Sequence, residues 1–348
     1  MLSRRVFLTS IALPRRLEDR GDAMRLPRRT FLLLTAGVAA LPVISRVAPA
    51  QTYPTRPVRL IVGFTPGSAP DIVARLMGQW LSERLGQQFL VENRGGAGGN
   101  IGTEVVVRAP PDGYTLLLVG APNAINTTLY DKLSFNFLRD IAPVAGISRE
   151  RIVMVAHPSF PAKTVPEFIA YAKANPRKVT MASAGNGSST HVSGELFKMM
   201  AGVDMIHVPY RGGGQVMTDL IAGQVQVSFM GLSVAMEHIR SGKVRALAVT
   251  TATGSDVLAD IPTVGDFVPG YEASAFWGVG APRNTPAEVV DKLNKEINAS
   301  LSDPKLMKHL VEGGGTVLAG SPADFGKVIG DETEKWAKVI KFAGIRPE

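Results

Sequence analysis

"LIVGFTPGSAPDIVARLM" runs from Leu60 to Met77, and "VTMASAGNGSSTHVSGELFKMM" from Val179 to Met200. Each reads as a short apolar strand, a loop rich in Gly and Ser, and then a helix with apolar residues at helical spacing. The two loops lie about 120 residues apart. Each loop would set backbone amides, hydroxyls and a helix N-terminus at the carboxyl end of a strand, where α/β sheets bind ligands. Free amides and the helix dipole at such an end favour an anion. Ser188, Ser189 and Thr190 would also cap a helix with no ligand present, and Gly67 would serve its turn alone. The recurrence of the pattern, together with an export signal, favours binding.

Outward from these loops the chain keeps alternating. "VRLIVGF" is a short β-branched run, and "YTLLLVG", "RIVMVAH", "KVTMAS", "MIHVPY", "VQVSFM" and "VRALAVT" are further buried-strand candidates. Helical runs lie between them, which predicts an α/β fold with largely parallel sheets. In the helix after the first loop, Ile72, Leu76, Trp80 and Leu85 fall near one face. Thr164 and Thr285, each three residues before a Glu, and Ser321 before Asp324 are expected caps. After Thr285, an apolar stripe runs through Val289, Val290, Leu293, Ile297 and Leu301.

The glycine turn "ENRGGAGGNIGTEVV", Glu92 to Val106, lies between a strand-like and a helix-like run, where a dinucleotide fingerprint would be sought. Its glycines at 96, 98 and 102 miss the G-x-G-x-x-G spacing by one residue. Asp112 is too near to serve as the ribose acid. The turn reads as structural.

The N-terminal 50 residues are expected to lie outside the fold, as a signal peptide. Arg28 and Arg29 precede an apolar stretch from Phe31 to Ile44, and Ala48-Pro49-Ala50 is a small-x-small cleavage pattern. That stretch would span roughly 21 Å as a helix, short of a bilayer's ~30 Å core. The paired arginines fit the twin-arginine route. A second such string, "SRRVFLTSIAL" from Ser3, is cut short by Pro14. Met24 is therefore read as the start, a long leader being the alternative. The whole chain carries a net charge of +8, but the first 50 residues hold nine Arg against three acidic residues. The remainder is only +2, so the basic balance does not argue for nucleic acid. With no cysteine, disulfides, thiolate metal sites and a Cys nucleophile are excluded. The five His show no H-E-x-x-H spacing, and no G-x-S-x-G elbow occurs. A hydrolase built on Ser188 and His191 is the weaker alternative. No catalytic residue, metal or cofactor is expected.

In order along the chain, "YPTRPVRLIVGFTPGSAPDIVARLM", "ENRGGAGGNIGTEVVVRAPPDGYTLLL", "ASAGNGSSTHVSGELF", "HVPYRGGGQVMTDLIAGQVQVSF", "GKVRALAVT" and "FWGVGAPRNTP" resemble the solute-binding proteins of tripartite tricarboxylate transporters, the Bug receptors. The resemblance spans Tyr53 to Pro347. It implies an α/β, two-lobed periplasmic binding protein of type II-like, flytrap form, with a mixed, mostly parallel sheet in each lobe and no enzymatic activity. Lobe 1 would be 51–152 plus 276–348 and lobe 2 153–275, with crossings near Val153 to Ala156 and Ala275 to Val279. A hinge motion would close the lobes on the ligand.

The resemblance also implies a site. A ligand carboxylate would meet the first loop at Phe64, Thr65, Gly67, Ser68, Ala69 and Asp71, and the second at Ser183, Gly185, Gly187, Ser188, Ser189 and His191. Tyr210 and Arg211 would follow the "HVPY" strand near the cleft, and Asn123 and Asn126 would lie on another cleft-side loop. Many relatives carry an Asp where this chain has Met230, which argues against an amino-acid ligand and for a carboxylate with an apolar body. Ser68 stands where many relatives have Gly. The implied partners are a small carboxylate and the permease subunits of the transporter, with the receptor a monomer. A sensor accessory reporting to a membrane histidine kinase would share the fold.

Overall fold

A computed structural model describes residues 53–312 and 314–347. The expected signal peptide lies outside the described residues. Among them, no helix is long and apolar enough to cross a membrane.

The first half of the fold is a β-α-β-α-β-α run: β1 (Val58–Val62), α1 (Ala69–Leu85), β2 (Phe89–Asn93), α2 (Asn100–Val107), β3 (Thr115–Gly120) and α3 (Ala121–Leu129). A short helix α4 (Phe137–Asp140) leads into β4 (Ile141–Ala156), and α5 (Val165–Ala174) follows it. The run then repeats as β5 (Thr180–Ser183), α6 (Ser189–Ala201), β6 (Ile206–Pro209), α7 (Gly213–Ile221), β7 (Val227–Gly231) and α8 (Leu232–Arg240). The chain finishes with β8 (Arg245–Val249), β9 (Ser274–Pro282), α9 (Ala287–Ser300), α10 (Pro304–Glu312), β10 (Gly315–Val317) and α11 (Pro322–Ala343).

In both runs the first strand sits between the other two. The order is β2-β1-β3 in one half and β7-β5-β6 in the other, all pairs parallel. The strand order therefore reverses beside β1 and beside β5, and crevices open at their carboxyl ends. β9 lies antiparallel to β3, and β4 antiparallel to β9. β4 joins the halves. Up to Arg151 it pairs with β9, and from Ile152 onward with β7 and β8. Each half is thus a mixed sheet, its antiparallel part larger than the sequence pattern suggests, because β4, β8, β9 and β10 read locally like any buried strand. β6 is an edge strand and not a buried one: Ile206 is exposed.

The core follows from this layering. α1 buries Ala74, Met77, Gly78 and Leu81 beneath the first sheet half, among Val58, Leu60 and Val62. The expected face of Ile72, Leu76 and Trp80 is not the deepest one: Ile72 is 52% exposed, and the Trp80 indole reaches sideways to the Glu296 carbonyl. The deep face is set by the row that includes Gly78, where a Cβ would stand 3.1 Å from the Phe89 carbonyl, so the helix closes on the strand there. Buried Val289, Leu293 and Ile297 seat α9 as the stripe predicts. Its expected Thr285 cap is not formed. Pro286 is the first flanking residue, and the Thr285 hydroxyl donates to the Pro282 carbonyl. Thr164 and Ser321 do cap their helices.

α11 packs on α3, on β4 and on α6, with Trp336 fully buried. Its Glu332 meets Arg149 of β4 at 3.2 Å and Lys335 at 2.8 Å, while Arg149 also donates to Ser274 at the start of β9. Beyond β8, buried Thr250 ties the strands that cross between halves. Its hydroxyl lies 2.9 Å from the Ile152 carbonyl and 2.7 Å from the Ala273 carbonyl.

Candidate functional site

The loops after β1 and β5 share turn hydrogen bonds at positions offset by 120 residues, although Ser188 also caps its helix and Ser68 does not. Gly67 and Gly187 are both left-handed, at φ +78° and +70°, a conformation that favours glycine. Each precedes an extended N-cap serine, Ser68 and Ser188, with φ/ψ of −73°/160° and −69°/158°. The Ser68 hydroxyl donates to the Thr65 carbonyl and the Ser188 hydroxyl to the Gly185 carbonyl, each at 2.7 Å. The Gly67 amide donates to Asp71 Oδ2 at 2.8 Å, and the Gly187 amide to His191 Nδ1 at 3.2 Å. The next loop repeats as well: Arg94-Gly95-Gly96 follows β2, and Arg211-Gly212-Gly213 follows β6.

Both switch-point loops line one cavity of about 490 Å³. Five helices begin at its wall. α1 presents Ala69 and Pro70, α3 Pro122, α6 Ser189 and Thr190, α7 Gly213 and Gly214, and α8 Val234 with the preceding Gly231. The first amides of a helix have no intrahelical acceptor. Ser68 makes no side-chain cap bond to α1, and Gly212 and Gly231, having no side chain, offer none to α7 and α8. Each helix end is worth about 0.3–1 kcal/mol to an anion in an exposed setting and more when water is excluded. Phe64 and Trp277 meet edge to face at 6.3 Å and form an apolar wall. Trp277 fits there because residue 120 is glycine: a Cβ would stand 2.3 Å from the indole.

Of the residues expected at the site, Phe64, Thr65, Gly67, Ser68, Ala69, Ser188, Ser189, Arg211 and Met230 line this cavity. The others lie behind it. Asp71 is buried under the first loop, where it accepts from the Gly67 amide, Arg75 and Asn93. Burial pushes its carboxyl up, but the bonds from Arg75, Gly67 and Asn93 outweigh that and hold it below the usual range. His191 is its counterpart under the second loop, its ring stacked on His207 at 3.6 Å. Ser183 bonds His207 Nε2 at 2.7 Å, and Gly185 packs on the Tyr210 carbonyl. The Tyr210 hydroxyl donates to Asp219 at 2.7 Å; burial and that bond push it up to about 12. Asn123 and Asn126 are buried in the first half. Asn123 accepts from the Gly120 amide and donates to Thr103, while Asn126 donates to the Gly98 carbonyl and to Asn100. These polar groups brace the loops and do not face the cavity.

Sequence reasoning missed Glu150 and Ile152 of β4, Ala275 and Trp277 of β9, and the Gly212–Gly214 run. The glycines opening a helix were a visible signal. The others come from strands that cross between halves, and only the pairing of β4 with β9 puts them on one wall.

The fold is that of a two-lobed periplasmic binding protein, with one cavity lined by loops of both halves. A family model described as Tripartite tricarboxylate transporter family receptor matches residues 73–345, and the chain belongs to this family. It is 35% identical over 319 residues to Protein BugT of Bordetella pertussis, covering 91% of this chain and 96% of that one. Among solved structures it is similar to R. palustris Rpa4515 with adipate, at 38% identity and TM-score 0.77, covering 85% of this chain and all of that one. It is also similar to MatC from Rhodopseudomonas palustris with bound malate, at 30% identity and TM-score 0.75, covering 83% of this chain and all of that one.

Proposed function

We propose that the protein captures a small carboxylate in the periplasm, closes its lobes on it, and delivers it to a tripartite tricarboxylate-type membrane transporter. The observation that carries this reading is the pair of loops that share their turn hydrogen bonds and line one cavity beside the start of a helix. Hydrogen bonds to a charged group are shorter and stronger than neutral ones, so backbone amides and hydroxyls suffice to hold a carboxylate. The adipate and malate bound to the two similar structures support the ligand class. The lobes are taken as 51–152 plus 276–348 and 153–275, with β4 and β9 as the crossing strands.

No triad is assembled at the second loop. The Ser188 hydroxyl lies against Gly185 and Thr190, and His191 Nδ1 accepts the Gly187 amide. The reading is tested by a thermal-shift screen of protein stripped of carried ligand, against dicarboxylates, tricarboxylates, aromatic acids, amino acids and neutral sugars. A carboxylate at 100 times its dissociation constant should stabilise the protein by about 2.7 kcal/mol. A response to sugars alone would refute the reading.

A further inference from the structure

Among the described residues, Glu150 is the one acidic side chain on the wall of the cavity. It stands on β4 two residues before Ile152, where the strand changes partners. Ser233 of α8 donates to its Oε1 at 2.6 Å. A Cβ on residue 231 would lie 2.5 Å from that same oxygen, so glycine at the start of α8 is what leaves room for the carboxyl. Among the described residues no cation stands within ion-pair distance of it.

The charged groups around it are engaged elsewhere. On β4 itself, Arg149 turns to Ser274 and Glu332, and Arg151 to the Gly314 carbonyl. From α1, Asp71 and Arg75 are bonded to each other. β9 offers Trp277, β7 Met230, β10 Gly315 and α10 Leu310, none of them titratable near neutral pH. The charges of α8, Glu237, His238 and Arg240, come in its later turns. Arg211 lines the same cavity but forms no ion pair with Glu150. Burial pushes the Glu150 carboxyl above its usual range, and the Ser233 and Trp277 hydrogen bonds only partly oppose this.

We propose that Glu150 sets how many negative charges the cleft accepts: a dicarboxylate binds with uptake of one proton by Glu150, whereas a monocarboxylate does not require it. The argument is one of like charges. An ionised Glu150 sharing the cavity with two ligand carboxylates has hydrogen-bond donors but no cation beside it, and carboxylates in one site push one another toward the protonated form. The proton comes from solvent, and the only bond formed is O–H on the carboxyl. The neutral acid can then donate to a ligand oxygen that its anion would repel. The proposal rests on the carboxylate-receptor reading above.

The test is calorimetry of the purified protein with adipate and with its monomethyl ester, between pH 8 and pH 6, each in two buffers of different ionisation enthalpy. Both adipate carboxyls stay largely ionised in this range, given a carboxylate reference of about 4–5. Adipate should bind with uptake approaching one proton and tighten by up to about tenfold per pH unit, the limit that one linked proton allows. The monoester should show neither. Glu150→Gln should bind adipate more tightly than wild type at pH 8 and with a flat pH profile.

Adipate bound by wild type with no proton taken up would overturn the proposal while leaving the receptor reading intact. So would a folded Glu150→Gln variant that loses adipate at every pH, since removing the charge should relieve repulsion and not weaken binding. Binding of no carboxylate at any pH would sink the receptor reading and the proposal with it. The wild-type proton count needs no variant, so a misfolded Glu150→Gln would not spoil the test.

Discussion

Asp71 and His191 differ in chemistry yet do one job: each accepts the amide of a left-handed glycine four residues earlier. That bond fixes the glycine's peptide plane and with it the direction of the loop that lines the cleft. Asp71→Ala would break bonds to Gly67, Arg75 and Asn93 at once. Hydrogen bonds to a charged group contribute about 1.5–3 kcal/mol, so a loss near 2–3 kcal/mol is expected in a urea titration. Carboxylate affinity should fall as well, because the first loop would no longer be held. Affinity unchanged in the folded variant would show that the loop keeps its shape without the carboxylate. Both residues stand out in the sequence as polar groups near a glycine loop. What sequence does not show is which way they face, because burial behind a loop and exposure in front of it put the same letters at the same spacing.

Among the elements, β4 and α11 do the joining. β4 belongs to both sheet halves, and α11 packs on helices of each. Glu332 of α11 is 4% exposed and holds Arg149 and Lys335. Removing one partner of a buried pair costs about 3–5 kcal/mol where the remaining charge is fully buried. Arg149 keeps Ser274 and some solvent contact, so Glu332→Ala should lower stability by roughly 3 kcal/mol, the bottom of that range. Chemical denaturation of the variant reads this directly, and a loss under about 1 kcal/mol would mean that solvent already carries the Arg149 charge. Strands, caps and helical stripes were legible from local pattern, because period and capping chemistry are local. The antiparallel share of the sheets and the wall made by Glu150, Ile152, Ala275 and Trp277 were not. They depend on strands more than 120 residues apart lying side by side.

At the scale of the whole molecule, the response to acid follows from buried neutral imidazole. Burial, then the neighbouring His191, lowers His207 to about 3 from its ordinary 6.5. The unfolded chain therefore binds a proton at His207 that the native state refuses. That contribution to stability is complete above about pH 6.5 and is lost progressively as pH falls toward 3. His207→Gln should flatten this part of the stability curve, measured by denaturant midpoints at successive pH values. An unchanged slope would place the proton uptake on other groups.

The repeated loops have one more consequence. Two mouths of like construction, lining the same small volume, would let a molecule with identical ends lie in the cleft either way round. What breaks that equivalence is outside the repeat or unequal within it. Arg94 in the first half folds back onto Glu92, while its counterpart Arg211 reaches the cavity, and Glu150 has no counterpart at all on the wall. The cleft thus has a head and a tail, and a symmetrical guest acquires an orientation from its host.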